Sequence, residues 1–362
     1  MIRVRSAGVV ALAMASLMGL AACAPADIVE PNTTVQASAS PVEREPAPTP
    51  PPDPKPAVTW PLTGLDATQA SAAQLKQPAL SIKIENTEAA RPQTNLEFAD
   101  VVFEENVEYG ISRLIAVYQS DYPDEVGPIR SMRPMDRNIM GSLGGPLVFS
   151  GAQRRFINQA ASSGTVLIAQ DVGSYGFFRT HDKPAPHNLH GHPADFAKQS
   201  KGAVAPAAQW AFAYPETMAS AAVAGKPMTK VDIRFSPYAH PHWDWDAKTS
   251  LFKRFEGSSA HKTASGKQLT ATNIVLIYVT VRETGATPQG RSVPETLVAG
   301  KKGKGFVFTG GKYIPITWSK KGQFDPFVVL DANKDAVALA PGQTWWELVP
   351  TNGEFATKVT IS

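Results

Sequence analysis

Ala79-Leu80-Ser81-Ile82-Lys83-Ile84-Glu85 alternates apolar and polar side chains from Leu80 onward. A period of two places Leu80, Ile82 and Ile84 on one face of a strand, so this stretch predicts a half-buried β-strand. Downstream, Asp100 to Glu108 and Leu114 to Gln119 read as two more strands. A helix is predicted from Pro134 to Leu143, with proline at its first position and Gly144-Gly145 closing it. Pro146 to Ser150 then reads as a strand, Gln153 to Ser162 as a helix and Thr165 to Ala169 as a strand. This half is therefore α/β in character.

The C-terminal half reads almost wholly as strand. Lys230 to Phe235 alternates cleanly, and Asn273 to Val281 is apolar and β-branched on both faces, as a central buried strand would be. Gly305 to Phe308, Tyr313 to Trp318, Phe327 to Leu330 and Thr344 to Val349 follow, separated by Gly, Asp and Asn turns. The expected fold class is α+β: a mixed α/β N-terminal domain (58–220) followed by a mostly antiparallel β domain (221–362), a small barrel or sandwich. The break falls where Ala219 to Lys226 is small and flexible.

Upstream of the folded part, Arg3 and Arg5 precede an uncharged run from Ser6 to Ala22, which has the layout of a secretory signal (1–22). The run is short of the roughly 20 apolar residues needed to cross a bilayer. It ends in Leu20-Ala21-Ala22-Cys23, similar to the lipobox of bacterial lipoproteins. Cleavage before Cys23 and acylation of its thiol would anchor the chain at the extracytoplasmic face of the cell membrane, with two or three acyl chains, palmitate among them, giving firm attachment. Residues 23–57 form a spacer rich in Pro, Ala, Thr and Ser, whose Pro46 to Pro56 segment should be extended polyproline II.

Cys23 is the single cysteine of the chain. Intrachain disulfides, cysteine nucleophiles and thiolate metal sites are thereby excluded. The 35 Lys+Arg and 32 Asp+Glu become 33 and 32 once Arg3 and Arg5 leave with the signal, a near-neutral balance that argues against a nucleic-acid partner.

Three constellations could carry chemistry. In Phe103-Glu104-Glu105-Asn106-Val107-Glu108, a strand would set Glu104, Asn106 and Glu108 on one face, either a solvent-facing edge or a polar site. Glu104 and Glu108 would stand about 13 Å apart at 3.3 Å per residue, beyond the roughly 5–9.5 Å of a glycosidase carboxyl pair. Val126-Gly127-Pro128-Ile129-Arg130-Ser131-Met132-Arg133-Pro134 brings two guanidiniums to a helix start, suited to an anion or to pairing with Glu104 or Glu108. His181, His187, His190 and His192 cluster without any zinc signature, so no metal or other cofactor is assigned. The phosphate-loop, dinucleotide and nucleophile-elbow motifs are absent. Trp243, Trp245, Trp345 and Trp346 would serve as core or as a stacking surface.

Taken together, Ser81-Ile82-Lys83-Ile84-Glu85-Asn86, Ala90-Arg91-Pro92-Gln93, Ala99 to Glu104, Glu108-Tyr109-Gly110-Ile111-Ser112-Arg113, Gly127 to Pro134, Pro186-His187-Asn188 and Pro341-Gly342-Gln343-Thr344-Trp345 resemble the YerB-like bacterial lipoproteins, a family whose domain has no assigned function. The resemblance spans about 80 to 360. Tyr109 departs from it, standing where a second glycine is usual, and His181, His190 and His192 lie outside its pattern. It implies an exported, lipid-anchored, two-part protein and supplies no reaction. The function expected from these readings is a binding module for a cell-envelope ligand or protein partner, acting through Arg91, Glu104, Glu108, Arg113, Arg130, Arg133, His187 and Asn188. Two alternatives stand beside it: a cell-wall or phosphodiester hydrolase or transferase, and an envelope assembly factor.

Overall fold

The computed structural model describes residues 55–287 and 290–362; Cys23, the signal segment and the proline-rich run up to Pro54 lie outside the described residues. The elements, in chain order, are α1 (Ala72–Leu75), β1 (Leu80–Glu85), β2 (Val101–Asn106), β3 (Ser112–Tyr118), α2 (Asp136–Met140), β4 (Leu147–Phe149), α3 (Arg154–Ser162), β5 (Leu167–Ala169), α4 (Pro193–Gln199) and α5 (Ser220–Ala224). They continue with β6 (Lys230–Arg234), β7 (Pro241–Asp246), β8 (Leu251–Glu256), β9 (Asn273–Glu283), β10 (Lys301–Thr309), β11 (Lys312–Lys320), β12 (Val328–Leu330), β13 (Thr344–Pro350) and β14 (Lys358–Ile361). Strand dominates and the helices are short, so the chain is mostly β, in mixed and antiparallel sheets, rather than an even α+β mixture.

One large sheet runs in the order β12-β11-β10-β9-β13-β2-β3-β1-β4-β5. Its N-terminal strands combine antiparallel β1–β3 and β2–β3 pairs with parallel β1–β4 and β4–β5 pairs. The C-terminal strands do not close a separate antiparallel barrel. β13 inserts between β9 and β2, parallel to both, and joins the two halves of the chain in one ladder. A second sheet contains β8-β7-β6-β14 and lies against one face of the first.

That layering explains β1. Every residue of the strand is buried, so it is not half-exposed. Leu80, Ile82 and Ile84 join Val102, Leu114, Trp345 and the second sheet's Val231, Trp243 and Phe252 in one core. On the opposite face, Phe103, Ile115 and Trp346 pack with Met135, Ile139 and Phe156 from the helices and loops. β9 is the central strand its composition implied: Asn273 to Ile277 are buried, with β10 and β13 on either side. The helix expected from Pro134 to Leu143 is α2 followed by a 3₁₀ turn over Gly141–Leu143, and Gly144, at φ +72°, ends it. Of the four tryptophans, Trp243, Trp345 and Trp346 are fully buried core.

Candidate functional site

Placing β1 inside the sheet buries its polar residues, and the region around its C-terminal end, Glu85, is where the chain collects charge. Glu85 pairs with Arg113 across the β1–β3 ladder. Its Oε1 lies 3.0 Å from His187 Nδ1 and accepts from Thr87 Oγ1 at 2.9 Å; its Oε2 faces Arg130 Nε at 3.5 Å. The Val126 to Pro134 loop is held alongside by backbone bonds, Glu85 N–H to Pro128 O and Arg130 N–H to Lys83 O. Arg113 donates to Ser131 O at 2.7 Å, and Arg133 Nε donates to Glu108 Oε2 at 2.7 Å. Three guanidiniums thus meet two carboxylates and one imidazole.

The positive charge is in excess, and the molecule registers it. Burial, with Arg133 and Arg130 adding repulsion, pushes the Arg113 guanidinium down to about 9. The buried Nε atoms of Arg113 and Arg130 and Oε2 of Glu85 have no hydrogen-bond partner among the described residues. A cleft of about 230 Å³ opens beside the network, lined by Glu108, Ser131, Arg133, Gln153, Phe156 and Asp171. That is below the roughly 300–1,000 Å³ of pockets for drug-sized molecules, and suits one small charged group.

Five of the eight expected site residues, Glu108, Arg113, Arg130, Arg133 and His187, therefore come together around Glu85. The other three do not. Glu104 lies on the opposite face of the large sheet, and the turn after β2 removes Glu108 from the face that Glu104 shares with Asn106. In that turn Tyr109 takes φ +66°, the left-handed region that favours glycine, which explains why a second glycine is usual there. Neither Glu104 nor Asn106 is a solvent-facing edge, since both are buried. Arg91 donates to Asn86 O at 2.8 Å and lines a different, open cleft of about 1180 Å³ with His240, Glu256 and Lys262. Asn188 is occupied in closing the Phe177–Gly191 hairpin, bonding Thr180 O at 2.7 Å and Arg179 at 2.9 Å.

Glu104 instead belongs to a network between the layers that the sequence did not announce. Arg254, fully buried, reaches Glu104 at 2.5 Å, Glu347 at 3.2 Å and Glu256 at 3.5 Å. Its guanidinium carbon lies 4.6 Å from the centre of the Trp345 ring and 5.2 Å from that of Trp243. Arg254 Nε donates to His261 Nδ1 at 3.0 Å, so His261 is neutral and its Nε2–H donates to Gln93 Oε1 at 2.8 Å. Burial, then Arg254, hold that imidazole well below its ordinary range. The histidine cluster makes no metal set: among the described residues, no three His, Cys, Asp or Glu side chains are placed to hold an ion.

Fold and site together define a mostly β protein of two stacked sheets, with one ion network centred on the buried Arg254 between them and a second, arginine-rich one beside a smaller cleft. Residues 62–205 match the N-terminal domain, and 231–346 the C-terminal domain, of the protein family of unknown function DUF3048. The chain belongs to this family. It is 25% identical over 308 residues, 80% of this chain and 86% of the other, to a Bacillus subtilis (strain 168) protein named "Putative lipoprotein YerB". The crystal structure of YerB from Bacillus subtilis superposes with a TM-score of 0.68 at 22% identity, covering 84% of this chain and 99% of that one, a likeness of fold.

Proposed function

We propose that this protein is an extracytoplasmic lipoprotein, held to the cell membrane through lipid on Cys23, whose globular part binds an anionic group of a cell-envelope ligand or partner at the Arg113–Arg130–Arg133 cluster. The lipobox-like Leu20 to Cys23 and the name of the Bacillus subtilis relative support the anchoring. One observation carries the binding reading: Arg133 lines an open cleft with Ser131 and Gln153, and the buried Nε of Arg113, whose other nitrogen donates to Ser131 O, has no hydrogen-bond partner among the described residues. An unmet buried donor is costly, and a carboxylate or phosphate oxygen supplies the acceptor it lacks. Arg130→Ala with Arg133→Ala should weaken binding to purified envelope fractions at least tenfold while the fold persists; unchanged binding sinks the assignment. Cys23→Ala should abolish palmitate labelling and release the protein from membranes.

A hydrolase or transferase reading has one feature in its favour. Glu85 at 3.0 Å from His187 Nδ1 is the arrangement by which a carboxylate orients an imidazole base. Turnover of a wall polymer or phosphodiester that vanishes in His187→Ala, with binding intact, would favour it over binding alone.

A further inference from the structure

Lys83, Glu105 and Asp136 form a third charged group, separate from both networks above. All three side chains have zero exposure. Lys83 Nζ lies 2.9 Å from Asp136 Oδ1 and also against Glu105 Oε1. The remaining oxygen of Asp136, Oδ2, accepts the backbone N–H of Arg133 at 2.9 Å. Lys83 and Glu105 sit on β1 and β2, on the face where Phe103, Ile115 and Met135 build the core, and Asp136 opens α2.

Two carboxylates and one ammonium cannot all stay ionised without water, because the surplus charge has no compensation. Burial, then Asp136, push the Glu105 carboxyl well above the usual carboxylate range, so it keeps its proton. What remains is a lysine nitrogen held against a carboxylate, beside a carboxylic acid that can give and take a proton.

We propose that Lys83 and Asp136 are a self-modification site, at which Nζ condenses with Cγ of Asp136 to form an isopeptide bond and Glu105 carries the proton. The ammonium first passes a proton to Asp136, leaving an amine and a carboxylic acid with no net charge moved. The amine attacks Cγ, forming the N–C bond. The Arg133 N–H, already on Oδ2, stabilises the oxyanion that develops there. Nitrogen yields a proton to Glu105 as Glu105 gives its own to Oδ1, the C–O bond breaks, and one water leaves. Glu105 ends as it began, and neither an oxidant nor a co-reactant is consumed. Condensation is disfavoured between free groups in water. Holding the two groups in contact supplies effective concentrations that reach about 10⁵–10⁸ M, and the dry core does not return the water. The product ties β1 to the start of α2, and so fixes the Arg130–Arg133 loop to the strand that carries Glu85.

Peptide mapping of the purified full-length lipoprotein after denaturation and digestion decides the matter. The expected result is a branched peptide joining the Lys83 and Asp136 segments, lighter than the two together by the mass of one water. Recovery of both segments separate, with an unmodified Lys83 amine, overturns the proposal, and a branch from Lys83 to Glu105 overturns the choice of partner. Glu105→Gln should leave the segments unlinked; a full yield of branched peptide in that variant removes Glu105 from the proton transfer. The wild-type map is conclusive whether or not the variant folds.

Discussion

Arg254 carries one positive charge among three carboxyl groups, the fully buried Glu104 and Glu347 and the part-buried Glu256. The surplus negative charge is met by protons. Burial and the neighbouring Glu104 push the Glu347 carboxyl up to about 8. A carboxyl whose folded value is raised binds its proton more tightly in the fold than in the open chain, so its contribution to stability is lost as pH rises towards 8. His261 works in the opposite sense: held well below 6.5, it costs stability only as pH falls beneath that value. Lys320, lowered by burial to about 8, changes the balance only above that pH. Between about pH 6.5 and 8 the carboxyl sign prevails, and the melting temperature should fall by several degrees. Glu347→Gln keeps an acceptor for Trp243 Nε1 and should flatten the slope; an unchanged slope measured by calorimetry would move the titration to another group.

Nothing in Leu251-Phe252-Lys253-Arg254-Phe255-Glu256 marks Arg254 as buried, because Lys253 and Arg254 look alike in composition and only the second sheet's contact face separates them. The Arg130 and Arg133 loop was legible for a simpler reason: two guanidiniums beside a helix start are close in sequence and stay close in space. Glu85 was missed as the centre of the site because it ends an apparently ordinary alternating strand.

Among the elements, β13 decides how the halves of the chain meet. Thr344 to Pro350 is buried throughout, with Trp345 turned to one core and Trp346 to the other. Apart from Glu347, Trp345 to Val349 is apolar on both faces, as a strand buried on both sides is, so its residues identified it as a strand but not its neighbours. Trp346 packs against Trp210 at 5.4 Å, Phe103 at 5.7 Å and Phe327 at 4.9 Å between ring centres. Trp346→Ala should cost about 3–5 kcal/mol in denaturant unfolding, the range for large aromatic truncations in a core. A loss below about 1 kcal/mol would mean that the surrounding rings close the gap.

At the scale of the whole molecule, strands before 120 and after 270 belong to one sheet. A fragment of residues 58–220 would lose β13, uncovering the β2 edge, and would lose Arg254, leaving Glu104 buried against a missing partner. Expressed alone, it should lack a cooperative thermal transition and dispersed amide resonances. A folded, soluble fragment would show that the N-terminal segment can cover its own edge.

Local pattern was enough to find most of the strands, the α2 and α3 helices, the central character of β9 and the arginine loop, because each depends on residues a few positions apart. Chain-distant pairing was not available in that way. Which strand lies beside which, that Glu104 and Glu108 part company at a left-handed turn, and that Lys83, Arg254 and Glu347 lose contact with water are set by contacts between residues far apart in sequence. A period of two says that a strand has two faces; only the packed layers determine what each face meets.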